Sequence, residues 1–132
     1  GNYHVLRGKP TSEVLFALQS HEIRRIARHE ECVFVGRCAD FVLHDQDVKL
    51  LTVFVAAPDE HRIRRKMEQE KLSRDQAVRL IRKMDKQRRK YYENYTGRTW
   101  GAPDGYDLYL NTGSLSTDEA AACIAARFRE MA

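Results

Sequence analysis

The chain has 132 residues, 42% hydrophobic and 32% charged, with a net charge of +4; that suffices for a single domain around one core and is too little for two. The proportions exclude an intrinsically disordered chain, and the longest apolar runs, 32–35 and 50–58, fall far short of the ~20 residues a membrane-spanning helix needs. Residues 1–10 have no apolar stretch behind a basic start, so no secretory signal is expected, and three cysteines without a Cys-x-x-Cys unit fit a reducing cytoplasm.

Thr11 and Ser12 can each cap a helix. Val14, Leu15, Leu18, Ile23, Ile26 and Ala27 then fall on one helical face while Arg24, Arg25 and Arg28 lie away from it, which predicts a helix over about 12–29. The run Cys32-Val33-Phe34-Val35-Gly36 reads as a buried strand, and Asp40 to Leu43 as a short helical turn. Leu50 to Ala57 is a second near-continuous apolar run, of the kind found in a parallel sheet covered on both faces. Pro58-Asp59-Glu60 supplies a helix start, with carboxylates where the helix dipole favours them, and that helix is expected to reach about Lys71.

Ser73 with Gln76 forms a capping box for a long helix to about Tyr95, whose apolar face carries Ala77, Val78, Ile81 and Met84. After a turn-rich stretch, Tyr106 to Asn111 alternates as a third strand. Ser116 with Glu119 is a further capping box, opening a final helix through Ala120, Cys123, Ile124 and Phe128. Strands separated by helices predict an α/β fold: a three-layer parallel sheet with flanking helices, in a single domain over 1–132. Cys32 and Cys38 are expected in the core and Cys123 on a helix. His29 with Cys32 is the nearest approach to a metal-ligand cluster and lacks a second pair at usable spacing, so no metal site is expected.

The charge is uneven. Residues 58–98 hold fourteen Lys and Arg against seven Asp and Glu, a balance of +7, and the other 91 residues sum to −3. A basic segment suits an anionic partner and equally describes a solvated helical face. Arg37 follows directly on the first predicted strand, at the carboxyl end where open α/β sheets bind ligands. Its planar fork suits adjacent phosphate oxygens, and the same spacing describes a surface arginine in a loop. Arg62, Arg64, Arg65 and Lys66 follow the second strand. Arg82, Asp85 and Arg88 or Arg89 are three or four apart on the long helix, an arrangement that holds arginines in register for an anion or forms an ordinary salt-bridge ladder.

Four stretches in order, Val33-Phe34-Val35-Gly36-Arg37-Cys38-Ala39-Asp40, Ala56-Ala57-Pro58-Asp59-Glu60-His61-Arg62-Ile63-Arg64-Arg65, Asp85-Lys86-Gln87-Arg88 and Tyr106-Asp107-Leu108-Tyr109-Leu110-Asn111-Thr112, resemble the cytidylate kinase-like family and, more distantly, cytidylate kinase. The resemblance runs from about Ser20 to Arg127 and implies a P-loop nucleoside monophosphate kinase fold in truncated form, with ATP and Mg as cofactors of the complete fold. It implies that Arg37 grips the phosphate of an acceptor nucleoside monophosphate. Arg62 and Arg65 would be lid arginines over the transferred phosphoryl group, and Asp85 and Arg88 would contact the acceptor's sugar and phosphate. Cys38 stands where cytidylate kinase has an Asp that reads cytosine. Ile81 stands where it has a sugar-contacting Arg, which the neighbouring Arg82 would replace.

The Gly-rich loop that cradles donor phosphates in such kinases has no counterpart here: Gly8-Lys9 is the only Gly-Lys, and no Gly-x-x-x-x-Gly-Lys occurs. In this fold the loop-bearing strand sits between those predicted at 32–36 and 50–57, and unpaired backbone groups there cost ~1–3 kcal/mol each if buried. The gap therefore closes by direct pairing, is filled by another chain (a homodimer being one form), or is filled by a front portion of the same protein. The sequence alone thus predicts nucleotide binding with little phosphotransfer. A second expectation is a non-catalytic nucleic-acid-binding or regulatory module using the basic helices, with Tyr91, Tyr92 and Tyr95 available to stack on bases.

Overall fold

The structure, a computed structural model, describes residues 11–132; Gly8-Lys9 lies outside them. Two compact units divide the chain, one ending at Leu50 and the other spanning Leu51–Ala132.

In the first unit, α1 (Thr11–His29) runs the length that its periodicity predicts, and α2 (Ala39–Leu43) forms the expected short helix. Ile23 of α1 meets Ala39, Val42 and Leu43 of α2 in a small core, with Phe16, Ala27, Phe34, Val48 and Leu50 packed around it. Between the helices the expected strand at 32–36 does not form. A strand exists only through a hydrogen-bonded neighbour, and among the described residues this segment has none. Val33 and Val35 stand 91% and 89% exposed, and only Phe34 turns into the core. Cys32 is exposed for the same reason, contrary to its predicted burial, while Cys38 is buried and Cys123, on the final helix, is exposed.

The second unit holds β1 (Val53–Ala56), α3 (Asp59–Glu70), α4 (Arg74–Thr96), β2 (Leu108–Asn111) and α5 (Thr117–Glu130). The sheet is two-stranded and parallel, pairing Val53 with Leu108 and Ala56 with Asn111. The expected three-layer sheet is thus reduced, among the described residues, to this pair. At its start Asp107 clasps Thr52. The Asp107 carboxylate accepts from the Thr52 backbone N–H at 2.9 Å and from its hydroxyl at 3.0 Å, and Thr52 Oγ1 accepts from the Asp107 N–H. At its end the Thr112 N–H donates to the Ala56 carbonyl at 2.8 Å. Phe54 collects Trp100, Tyr106 and Tyr109 at ring-centroid distances of 5.1–5.3 Å, and Arg89 lies over Trp100.

Both predicted capping boxes form. Ser73 Oγ accepts from the Gln76 N–H while the Gln76 side chain accepts from the Ser73 N–H, and Ser116 with Glu119 does the same. Each satisfies two backbone donors that a helix start leaves open. The helix α3 stops at Lys71, which takes the left-handed conformation, and α4 stops at Gly97, which takes it without steric cost. On α4, Ala77 is fully buried and Tyr92 is 8% exposed, while Tyr91 lies against Tyr95. Tyr92 is thereby committed to packing rather than to stacking on a base. No described helix is long and apolar enough to cross a membrane.

Candidate functional site

At the carboxyl ends of the two parallel strands the chain turns into α3 and into the loop before α5, and side chains from both turns converge there. A cleft of about 220 Å³ opens between the end of β1 (Val55 to Ala57), Thr112, α3 and α4. Its α3 side presents His61, Arg62, Arg65 and Lys66; α4 contributes Ile81, Met84 and Arg88. These α4 positions are separated by three and four residues, so they share one face, with an apolar floor and a cationic end. No carboxylate lines the cleft.

The nearest counter-charge is Asp85. Arg62 Nη1 and Nη2 donate to its two oxygens at 2.8 and 2.6 Å, a bidentate pair joining α3 to α4. Arg88 approaches the same carboxylate at 3.6 Å. Both partners of the bidentate pair are partly buried, with side chains 30% and 24% exposed. The Arg62 hydrogen bonds hold Asp85 below the usual carboxylate range against the opposing effect of burial, and Asp85 in turn raises Arg62. Lys66 leans toward Glu70 at 3.3 Å. Arg65 has no ion-pair partner among the described residues and lines the cleft as an uncommitted cation.

A second cleft, of about 540 Å³, adjoins the first along α3. His61, Arg64, Arg65 and Glu68 line it together with Thr112 to Thr117, the segment leading into α5. Gly113 is needed in that loop: a Cβ there would stand 2.5 Å from Pro58 Cδ, so the segment and the start of α3 pass as closely as backbone allows.

The residues singled out from sequence therefore separate. Arg62, Arg65 and Arg88 meet in one cleft, and Asp85 joins them through Arg62 and Arg88. Arg82 is exposed and lines neither cleft, because one residue beyond Ile81 turns a side chain about 100° around the helix. The position expected for it is filled by Ile81 itself. Arg37 belongs to the first unit, at the start of α2. There Gly36, Arg37 and Cys38 are three successive left-handed residues, with φ of 72°, 57° and 57°. Two of them carry a Cβ, a conformation that costs ~1–2 kcal/mol per L-residue, and such strain clusters at functional turns. Burial pushes the Cys38 thiol up to about 11, with Asp40 adding to the shift.

Sequence reasoning assigns Arg62 to a lid and Asp85 to an acceptor site and does not pair them, since no local spacing links positions 23 apart. It gives no role to His61 or Thr112, which the structure places in both clefts. The Tyr106-Asp107-Leu108 motif reads in sequence only as the start of a strand, whereas Asp107 holds the sheet together through Thr52.

No group of three His, Cys, Asp or Glu side chains that could hold a metal ion occurs among the described residues.

The model of the cytidylate kinase-like family matches residues 2–114. A solved structure, described as an uncharacterized protein from Eubacterium ventriosum ATCC 27560, superposes with a TM-score of 0.84 at 28% identity, over 91% of this chain and 74% of that one. No curated protein matches the sequence. With the family model covering most of its length, this chain belongs to the cytidylate kinase-like family.

Proposed function

We propose that the cleft at the carboxyl ends of β1 and β2 is the phosphate-binding part of a nucleoside monophosphate kinase of the cytidylate kinase type, taking a CMP-like acceptor. The observation that carries this reading is the convergence of Arg62, Arg65, Lys66 and Arg88 on one cleft that no carboxylate lines. Phosphoryl transfer needs cations fixed around oxygens that share the charge, in a site that excludes water. Arg65 is the cation best placed to meet a transferred group. Arg62, pinned by Asp85, supplies a positioned one, and Arg88 extends the cationic surface along α4. Arg37, on its strained turn in the first unit, is the proposed grip on the acceptor phosphate.

The 132 residues contain no Gly-x-x-x-x-Gly-Lys loop, so the donor phosphates of ATP and the Mg they carry have no cradle of that kind in this sequence. We therefore expect the chain to bind nucleoside monophosphates and to transfer little phosphate by itself. Calorimetric titration with CMP, dCMP and UMP tests the binding, and ATP-dependent formation of the diphosphates tests the transfer. Arg88→Ala and Arg37→Ala should each weaken CMP binding about tenfold, the loss of one charge-assisted contact. Unchanged affinity in both variants would overturn the site, and robust turnover would overturn the expected dependence on a donor loop.

A further inference from the structure

The two clefts meet along one ridge. His61, Arg65 and Thr112 line both, so the clefts form a continuous trough with the first two turns of α3 as its crest. His61 and Arg65 are four residues apart on α3 and stand one above the other on the same face. Arg65 brings a permanent charge to that crest. An imidazole is the side chain whose charge changes between about pH 5 and 8.

The side chains that line the two clefts around His61 are mainly cationic, while Asp59 and Glu60 precede it in the first turn of α3. Its own helix brings Arg62, Arg65 and Lys66 on one side, and Arg64, Arg65 and Glu68 on the other. Helix α4 brings Arg88. The segment 112–117 brings hydroxyls and backbone and no charged side chain, and Asp118 and Glu119 of α5 line neither cleft. An anion bound beside an imidazole favours its charged form.

We infer that His61 is a further anion ligand, shared by the two clefts, whose protonation sets how tightly the trough holds a phosphate-class ligand. This rests on the proposed reading of the first cleft as a phosphate site. It adds a proton-dependent contact that permanent arginines cannot provide. Binding then takes up a proton, so affinity falls as the pH rises. A ligand whose anion reaches the crest feels the effect, and one held only at Arg88 does not.

Sulfate is the probe for the test, because it keeps its double charge across the range and any pH dependence belongs to the protein. Its affinity would be measured at pH 6.0 and 8.0 for the intact chain, His61→Gln and Arg65→Ala, with the imidazole resonances of His61 followed by NMR. The expected result is binding about threefold or more tighter at the lower pH, the effect of one added charge at a solvated site. It should disappear in His61→Gln, and sulfate should move the His61 titration midpoint upward. An equal pH dependence in His61→Gln, or a midpoint that sulfate leaves in place, would overturn the role of His61 while leaving the cleft reading intact. Absence of sulfate binding at both pH values, with no difference between the intact chain and Arg65→Ala, would overturn the cleft reading itself and this inference with it.

Discussion

The bidentate contact between Arg62 and Asp85 is the interaction on which the cleft's geometry depends most, and its strength is open to a direct measurement. Two charge-assisted hydrogen bonds at 2.8 and 2.6 Å join side chains 30% and 24% exposed. Such bonds contribute ~1.5–3 kcal/mol when well shielded, and exposed pairs ~0.2–1 kcal/mol; residual solvent at this site places the coupling at about 1–2 kcal/mol. A double-mutant cycle with Arg62→Ala, Asp85→Ala and the double variant isolates it. Trp100 is the sole tryptophan and packs on Phe54 in the same unit, so its fluorescence during urea unfolding reports the relevant transition. In thermal melts the coupling should appear as a midpoint shift of about 4 °C per kcal/mol for a chain of this size.

The pH dependence has a definite sign. Asp85 is held below its ordinary value in the folded protein, so as the pH falls through about 4, the unfolded chain binds a proton that the folded chain does not. The coupling is therefore complete above about pH 5 and is lost as the pH drops through the folded value. The pair Arg74–Glu60, in the same unit and 54% and 61% exposed, serves as the control and should couple more weakly. A cycle for Arg62 and Asp85 no stronger than that control at pH 7, or one unchanged by acidification, would refute the reasoning.

Arg37→Gly should be more stable than Arg37→Ala by about 1 kcal/mol, because only glycine takes the left-handed conformation freely; a urea titration showing the reverse order would contradict the strain assigned to that turn. Gly113→Ala should destabilise by about 1–3 kcal/mol, since its Cβ meets the Pro58 ring at 2.5 Å, and wild-type stability would show that the loop moves aside without cost. In a thiol-labelling experiment at pH 8, Cys32 and Cys123 should react in the folded protein and Cys38 only on denaturation, because it is buried and its thiol is raised to about 11; rapid labelling of all three would refute that burial.

What is legible in the sequence is local. Ser73 with Gln76 and Ser116 with Glu119 announce helix starts because a side chain three residues away satisfies the backbone there, and both boxes form. The periodicity of α1 and α4 is likewise a property of neighbours along the chain. The strand expected at 32–36 does not form because its composition reports how the segment would pack against a partner strand, and it says nothing of whether one is present. For the candidate site, the stretches 56–65 and 85–88 lie on the two helices that line the cleft, and helix geometry then sorts Ile81 and Arg88 into it and Arg82 out of it. The Arg62–Asp85 and Thr52–Asp107 pairs, 23 and 55 residues apart, follow from tertiary placement alone, and no spacing rule reaches that far.

The Thr52–Asp107 clasp also bears on the order in which the second unit assembles. Bringing together Val53 and Leu108, 55 residues apart, costs about 3.5 kcal/mol in loop closure before any strand hydrogen bond offsets it. Helices α3 and α4, each closed by its own turn and adjacent in the chain, need no such closure and form on a faster scale. The sheet is thus joined late, after its intervening helices exist, and the clasp is the latch that fixes its register. The trough of cations is built on the ends of those strands, so it is completed only when the sheet closes.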